Sequence, residues 1–355
     1  MITHSHMKIK TEFWGKSPKD GKEIYKYYIT NGNGAQVVLT SLGASIVSVL
    51  VPDKDGVLTD VSLGFDDTDS YFDDGAYLGR VPGRYANRIA KGHFELNGKE
   101  YNLAINNGPN HLHGGPWGFS YQVWDARVLD NAVEFMYISE DGEEGYPGTL
   151  KAVAHYEWGD DNALKLTLTA QTDQDTFVNL TNHAYWNLNG EGSGSIEDHI
   201  LKLNCSEYLP TDSGLIPLGE PAPVAGTPLD FVTAKKVGRD LHQDFPALTV
   251  AKGYDHCFVI DGYMPGQLQT AAELYSEKSG IALEVVTTQP GLQVYSGNWL
   301  GGAKGKNGHV YADYNGIALE CQHFPDSPNE PEYPSTLLKP GETYQEAIIF
   351  AFSVK

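Results

Sequence analysis

Leu164, Leu166 and Leu168 alternate with Lys165, Thr167 and Thr169, and Ile281, Leu283 and Val285 keep the same two-residue period. That period predicts strands with one face buried and one face wet. Ile46 to Val51 is rich in β-branched residues and runs into Pro52-Asp53-Lys54-Asp55-Gly56, a turn cluster. Two apolar-polar segments, His93 to Leu96 and Lys99 to Leu103, flank Asn97-Gly98. This dipeptide tolerates positive φ at both turn positions and so predicts a two-residue hairpin. Tyr344 to Phe352 reads as a closing strand. Helical periodicity is scarce, with a short helix expected around Val237 to Asp244.

No segment has the Pro/Ser-rich or low-complexity composition of a linker, and no repeat is visible. The glycine-rich pieces Asn189 to Ser195 and Gly301 to Gly308 are expected to be long loops. The pattern therefore predicts an all-β protein, a large antiparallel β-sandwich with a few short helices. One domain is expected over residues 8–355, with residues 1–7 a tag remnant or flexible N-terminus.

Composition narrows the partners more than the fold. The formal net charge is −21 and the pI about 4.8, a field that repels nucleic acid and anionic membranes and favours neutral or cationic ligands. The 21 tyrosines and 39 glycines suit strands with tight turns, and aromatic faces suit sugar rings. Cys205, Cys257 and Cys321 have no metal-site spacing and are expected to be buried thiols in a reducing compartment. No apolar run approaches a membrane span, and the first residues contain no apolar signal core. A cytoplasmic monomer or weak homodimer is the expectation.

Candidate chemistry gathers in a few short segments. Gly83-Arg84-Tyr85-Ala86-Asn87-Arg88 joins guanidinium forks to an amide, a donor set suited to bridging hydroxyls; a surface ion pair explains a lone arginine equally. His113 precedes Gly114-Gly115, so its ring sits on backbone free to turn tightly; metal binding with His111 is disfavoured for want of a nearby third ligand. Asn179 to Leu188 packs His183, Tyr185, Trp186 and three amides into one stretch, more polar than a plain core strand. Asp255 heads a strand, and Thr287-Thr288-Gln289-Pro290-Gly291 ends another. Glu320 interrupts an otherwise apolar strand, where a carboxylate is costly unless it faces a cleft or an ion-pair partner.

Taken in order, the segments ending at Gly92, Gly115 and Gly148, then Asn179 to Leu188, Tyr254 to His256, Thr287 to Gly291 and Leu319 to Gln322, resemble the aldose 1-epimerase family over nearly the whole chain. The resemblance implies an open cleft, no metal or other cofactor, and a small neutral monosaccharide as substrate, its α and β anomers interconverted by ring opening and reclosure. It implies Glu320 as base at the C1 hydroxyl and His183 as acid at the ring oxygen. Arg88 and His113 would hydrogen-bond near the reacting centre, Asp255 and Gln289 would hold other hydroxyls, and Asn87 and Tyr185 would add contacts. The family often has Gly-Arg-Val-Ala-Asn-Arg, whereas here Gly79-Arg80-Val81-Pro82 precedes Gly83-Arg84-Tyr85. Whether Arg84 or Arg88 reaches the sugar therefore stays open, with Asn87-Arg88 the better match.

Independently, a carboxylate-rich site is expected to raise the histidine pKa. Three rivals remain. A glycoside hydrolase would use Asp255 and Glu320 as its carboxylate pair. A hexose-phosphate epimerase of similar fold would use the cluster Arg80, Arg84 and Arg88. A non-catalytic sugar-binding module would need the amides and aromatics but not a histidine–glutamate pair.

Overall fold

A computed structural model of the chain describes residues 8–355; the expectation for residues 1–7 lies outside the described residues. Strands dominate, and the only α-helices among the described residues are Thr68–Asp73 and Pro246–Ala251. The segment at Val237–Arg239 is a single 3₁₀ turn rather than the expected helix. The nearby helix begins instead at Pro246, whose fixed φ suits a first helical position.

A nine-stranded antiparallel sheet forms one layer, with Ala163–Thr172, Tyr344–Val354 and Ile281–Thr287 at its centre. Ala163–Thr172 keeps the predicted alternation: Leu164, Leu166 and Leu168 are buried in the core while Lys165 is exposed. A six-stranded sheet lies face to face with it, Trp186 packing its ring 5.0 Å from Phe350 and 5.4 Å from Phe352. A five-stranded meander from Lys8–Lys16 to Leu58–Asp60 adds to the same core through Tyr27, 5.6 Å from Phe135. The result is the expected all-β sandwich. The hairpin His93–Leu96 and Lys99–Asn102 also forms, with Asn97 at φ 52° and Gly98 at φ 77°.

Candidate active site

Four neighbouring strands of the six-stranded sheet make a floor: Tyr185–Trp186, Ile317–Gln322, Gly291–Tyr295 and Asp255–Val259. Side chains alternate across a strand. Trp186, Leu292, Val294, Ile317 and Leu319 therefore point into the core, while Tyr185, Glu320, Gln293, Tyr295 and Asp255 stand on the other face. Register sets Gln293 opposite Glu320 and Asp255 opposite Tyr295. Above this floor lies a cleft of about 760 Å³.

Loops supply the walls, and their backbones are held in sparsely populated conformations. Tyr77, Asn87 and His113 all line the cleft at positive φ, 62°, 65° and 49° respectively. Such conformations cost about 1–3 kcal/mol each and persist only where the surroundings enforce them. Asn87 and His113 enforce each other. The Asn87 N–H donates to His113 Nδ1 (2.9 Å), and the His113 N–H donates to the Asn87 carbonyl (3.0 Å). Gly114 next to them admits no side chain, because a Cβ there would stand 1.8 Å from the Gly83 carbonyl oxygen.

His183 and Glu320 approach each other inside the cleft. His183 donates its backbone N–H to Arg80 (2.8 Å) and accepts from Gly79 (3.0 Å). Asn182 ties the same loop through its amide to the Gly79 carbonyl (3.1 Å). His183 Nε2 then lies 3.3 Å from Glu320 Oε1, both side chains more than nine-tenths buried. Glu320 Oε1 and His183 Nδ1 nonetheless make no hydrogen bond among the described residues. Buried polar atoms without partners carry a desolvation cost that a bound ligand relieves.

Electrostatics acts in opposite senses on the two groups. Burial, helped by the Asp255 charge, lifts the Glu320 carboxyl well above the carboxylate range. Burial pushes His183 down to about 3, and the Arg80 charge adds to it. The expectation that carboxylates would raise the His183 pKa is thus overturned, since desolvation outweighs them. Both shifts run towards the neutral forms of the two groups.

Asp255 is held on two sides, by Gln293 Nε2 (2.7 Å) and by Arg88 Nη2 (3.9 Å). Arg88 in turn donates from Nε to Asn107 (3.1 Å). His113, His183 and Glu320 offer donor atoms within 4.8 Å of one another. They fit a metal poorly. His113 Nδ1 already accepts a hydrogen bond, so in the neutral ring Nε2 carries the proton and presents N–H, not a lone pair, to the cleft.

Residues 25–351 match the family model described as aldose 1-epimerase. The chain belongs to the aldose 1-epimerase family. It is 45% identical to the human galactose mutarotase over 96% of this chain and 97% of that protein. With the Escherichia coli aldose 1-epimerase it shares 40% identity over 94% and 96% of the two chains. Among solved structures, an aldose epimerase homologue from C. elegans superposes with a TM-score of 0.86 at 32% identity, covering 97% of this chain and 99% of that one. A galactose 1-epimerase from Lactobacillus acidophilus gives 0.84 at 31% identity over 98% and 99%.

Of the residues singled out from sequence, Glu320, His183, His113, Arg88, Asn87, Asp255 and Tyr185 all line the same cleft. Gln289 does not. Its Nε2 donates to the Leu180 carbonyl (2.9 Å) and its Oε1 contacts His323 Nδ1 (2.6 Å), so the amide is fully engaged beneath the loop. The glutamine on the cleft floor is Gln293, which sequence reading missed. Arg84 is also excluded: its guanidinium is buried in five hydrogen bonds to Ser139, Glu140, Pro147 and Gly148. The three amides of Asn179, Asn182 and Asn187 bond backbone carbonyls and tie loops together instead of facing a sugar. Tyr185 offers its ring only, because its hydroxyl donates to the Ala76 carbonyl (2.7 Å).

Proposed function

We propose that this aldose 1-epimerase interconverts the anomers of free aldoses with Glu320 as general base and His183 as general acid. The observation that carries the reading is the close, buried, unsatisfied approach of these two groups on the cleft floor. Glu320 takes the proton of the C1 hydroxyl while His183 protonates the ring oxygen, and the C1–O5 bond breaks to give the open aldehyde. Rotation about C1–C2 presents the other face of the carbonyl. Reclosure then runs the same transfers backwards, O5–H returning its proton to His183 and Glu320 returning one to O1.

The pKa directions suit this cycle. Ring opening converts carboxylate to acid and imidazolium to imidazole, the direction in which burial drives both groups. In the cyclic state the bound sugar supplies what the ionised forms need: a hydroxyl donating to the carboxylate and a ring oxygen accepting from the imidazolium. His113 Nε2–H and Arg88 add fixed donors along the substrate, and Asp255, steadied by Gln293, accepts from ring hydroxyls.

The rivals lose their support at named residues. Of the arginine cluster, Arg80 donates to the Ser120 and Tyr71 carbonyls and Arg84 is buried in its own bonds. Only Arg88 lines the cleft, and it faces Asp255, an anion that repels phosphate. A hydrolase would leave the His183–Glu320 approach without a role. We take residues 8–355 as the single unit carrying this chemistry. The three unbridged cysteines support a cytoplasmic setting, and no helix among the described residues is long and apolar enough to cross a membrane.

Polarimetry of freshly dissolved α-galactose and α-glucose tests the reading. The wild type should speed the approach to anomeric equilibrium, and Glu320→Gln should lower kcat by at least about 10²-fold. No acceleration over buffer with several aldoses sinks the assignment; full activity in Glu320→Gln sinks the mechanism alone.

A further inference from the structure

Three phenols line the cleft near the reacting pair, and two are engaged by the protein. Tyr185 donates to the Ala76 carbonyl, and Tyr295 accepts the Trp299 N–H (3.2 Å). Tyr77 is different. It is 7% exposed and lines the cleft, yet its hydroxyl has no hydrogen-bond partner among the described residues. A phenol hydroxyl that opens on a cleft and bonds no protein group keeps both its donor and its acceptor capacity for a ligand. The cleft is where such a ligand sits.

Its setting is built rather than incidental. The Tyr77 ring lies edge-on to His113 at 4.6 Å and stacks on His183 at 6.0 Å with 28° between planes. The backbone at φ 62° is pinned by Asp74, whose carboxylate accepts from the Ala76 N–H (2.8 Å) and the Leu78 N–H (2.9 Å). Asp74 is itself buried against Arg80 at 3.6 Å, and Tyr121 donates to the Asp74 carbonyl (2.6 Å). A buried ion pair thus holds one strained residue beside both histidines.

We propose that Tyr77 is a further substrate-contacting residue whose hydroxyl bonds the hydroxymethyl group at C5, making it a specificity determinant for aldohexoses over aldopentoses. This rests on the reading that His183 meets the ring oxygen. A pyranose ring oxygen has two neighbours, C1 and C5. Glu320 serves the C1 hydroxyl, so a group stacked on His183 and set among His113, Asp74 and Arg80 meets the ring on its C5 side. The only substituent there in a hexose is C6 with its hydroxyl.

The test compares D-galactose with L-arabinose, which repeats the galactose configuration from C1 to C4 but lacks C6. Polarimetric kcat/KM is measured for both sugars with the wild type and Tyr77→Phe, a variant that keeps the ring and its stacking. Tyr77→Phe should lower the galactose value about tenfold, the size of one hydrogen bond, and leave arabinose within twofold. An equal fall for both sugars overturns the proposal, because a residue that merely positions the histidines slows every substrate. No fall with galactose overturns it as well. If the wild type accelerates neither sugar, the acid–base reading fails first and this inference with it.

Discussion

Arg84 and Arg88 stand four residues apart in a motif that names both as sugar-binding candidates, and the structure separates them: Arg84 is buried in bonds to its own protein and Arg88 lines the cleft. Replacing Arg84 with Met removes Nε and both Nη donors at once. The carbonyls of Ser139, Glu140, Pro147 and Gly148 and the Ser139 hydroxyl lose their partner, at original distances of 2.6–3.1 Å. A hydrogen bond from a charged donor contributes roughly 1.5–3 kcal/mol, but five bonds from one group do not add, and the guanidinium's own desolvation is recovered. A net loss of about 3–5 kcal/mol follows, as for stripping one partner from a buried ionic site. Against a typical total of roughly 5–15 kcal/mol this is severe. Urea unfolding should show a midpoint lower by on the order of 1 M or more. kcat/KM per folded molecule, measured below the transition, should stay within about threefold. Arg88→Met should do the reverse. Its charge faces Asp255 at 3.9 Å and holds the Glu320 pKa down, so removal should cost about 10²-fold in kcat/KM and little stability. A stable Arg84→Met enzyme with activity down by orders of magnitude would refute the assignment.

Two further outcomes follow from single contacts. Gln293→Ala removes the 2.7 Å bond that orients Asp255 and should raise KM for galactose about tenfold, whereas Gln289→Ala should lower the unfolding midpoint and leave KM unchanged; steady-state polarimetry and denaturation on both variants separate the two. Burial holds His323 neutral, its pKa pushed from 6.5 down to about 4. The unfolded chain binds this proton more readily than the folded one, so its share of stability is present above pH 6.5 and is lost as pH falls through 4. Between pH 7 and 5 that share is about 2 kcal/mol, so His323→Gln should narrow the wild-type difference in unfolding free energy by that amount, and an unchanged difference would rule the histidine out.

Much of this was legible because strand chemistry has a short period. Alternation in Ala163–Thr172 and Ile281–Thr287 identified half-buried strands without any tertiary information, and Asn97-Gly98 marked its hairpin through φ alone. The same period also exposed Glu320, a carboxylate on an otherwise apolar strand whose other face is core. Gln293 carried that signal too. It sits between Leu292 and Val294 as Glu320 sits between Leu319 and Cys321, and the two are register partners. Weight given to Gln289, four residues earlier in a more conspicuous motif, hid it.

What sequence left open is whatever depends on which polar group meets which carbonyl. Asn182 and Arg84 have the composition of binding residues, and both use it inside the protein, bonding backbone carbonyls. The distinction is physical. A site on a strand floor inherits its geometry from ladder hydrogen bonds, so Glu320, Gln293 and Asp255 need only alternate correctly. A site on loops has no ladder, and each loop must be fixed by side chains that satisfy its backbone. His183 and His113 are loop residues, and their precision depends on Asn182, Asn87 and the Asp74–Arg80 pair around them. Polar residues in such a motif therefore divide between those left facing the cleft and those that hold them, and only the three-dimensional partner of each donor tells which is which.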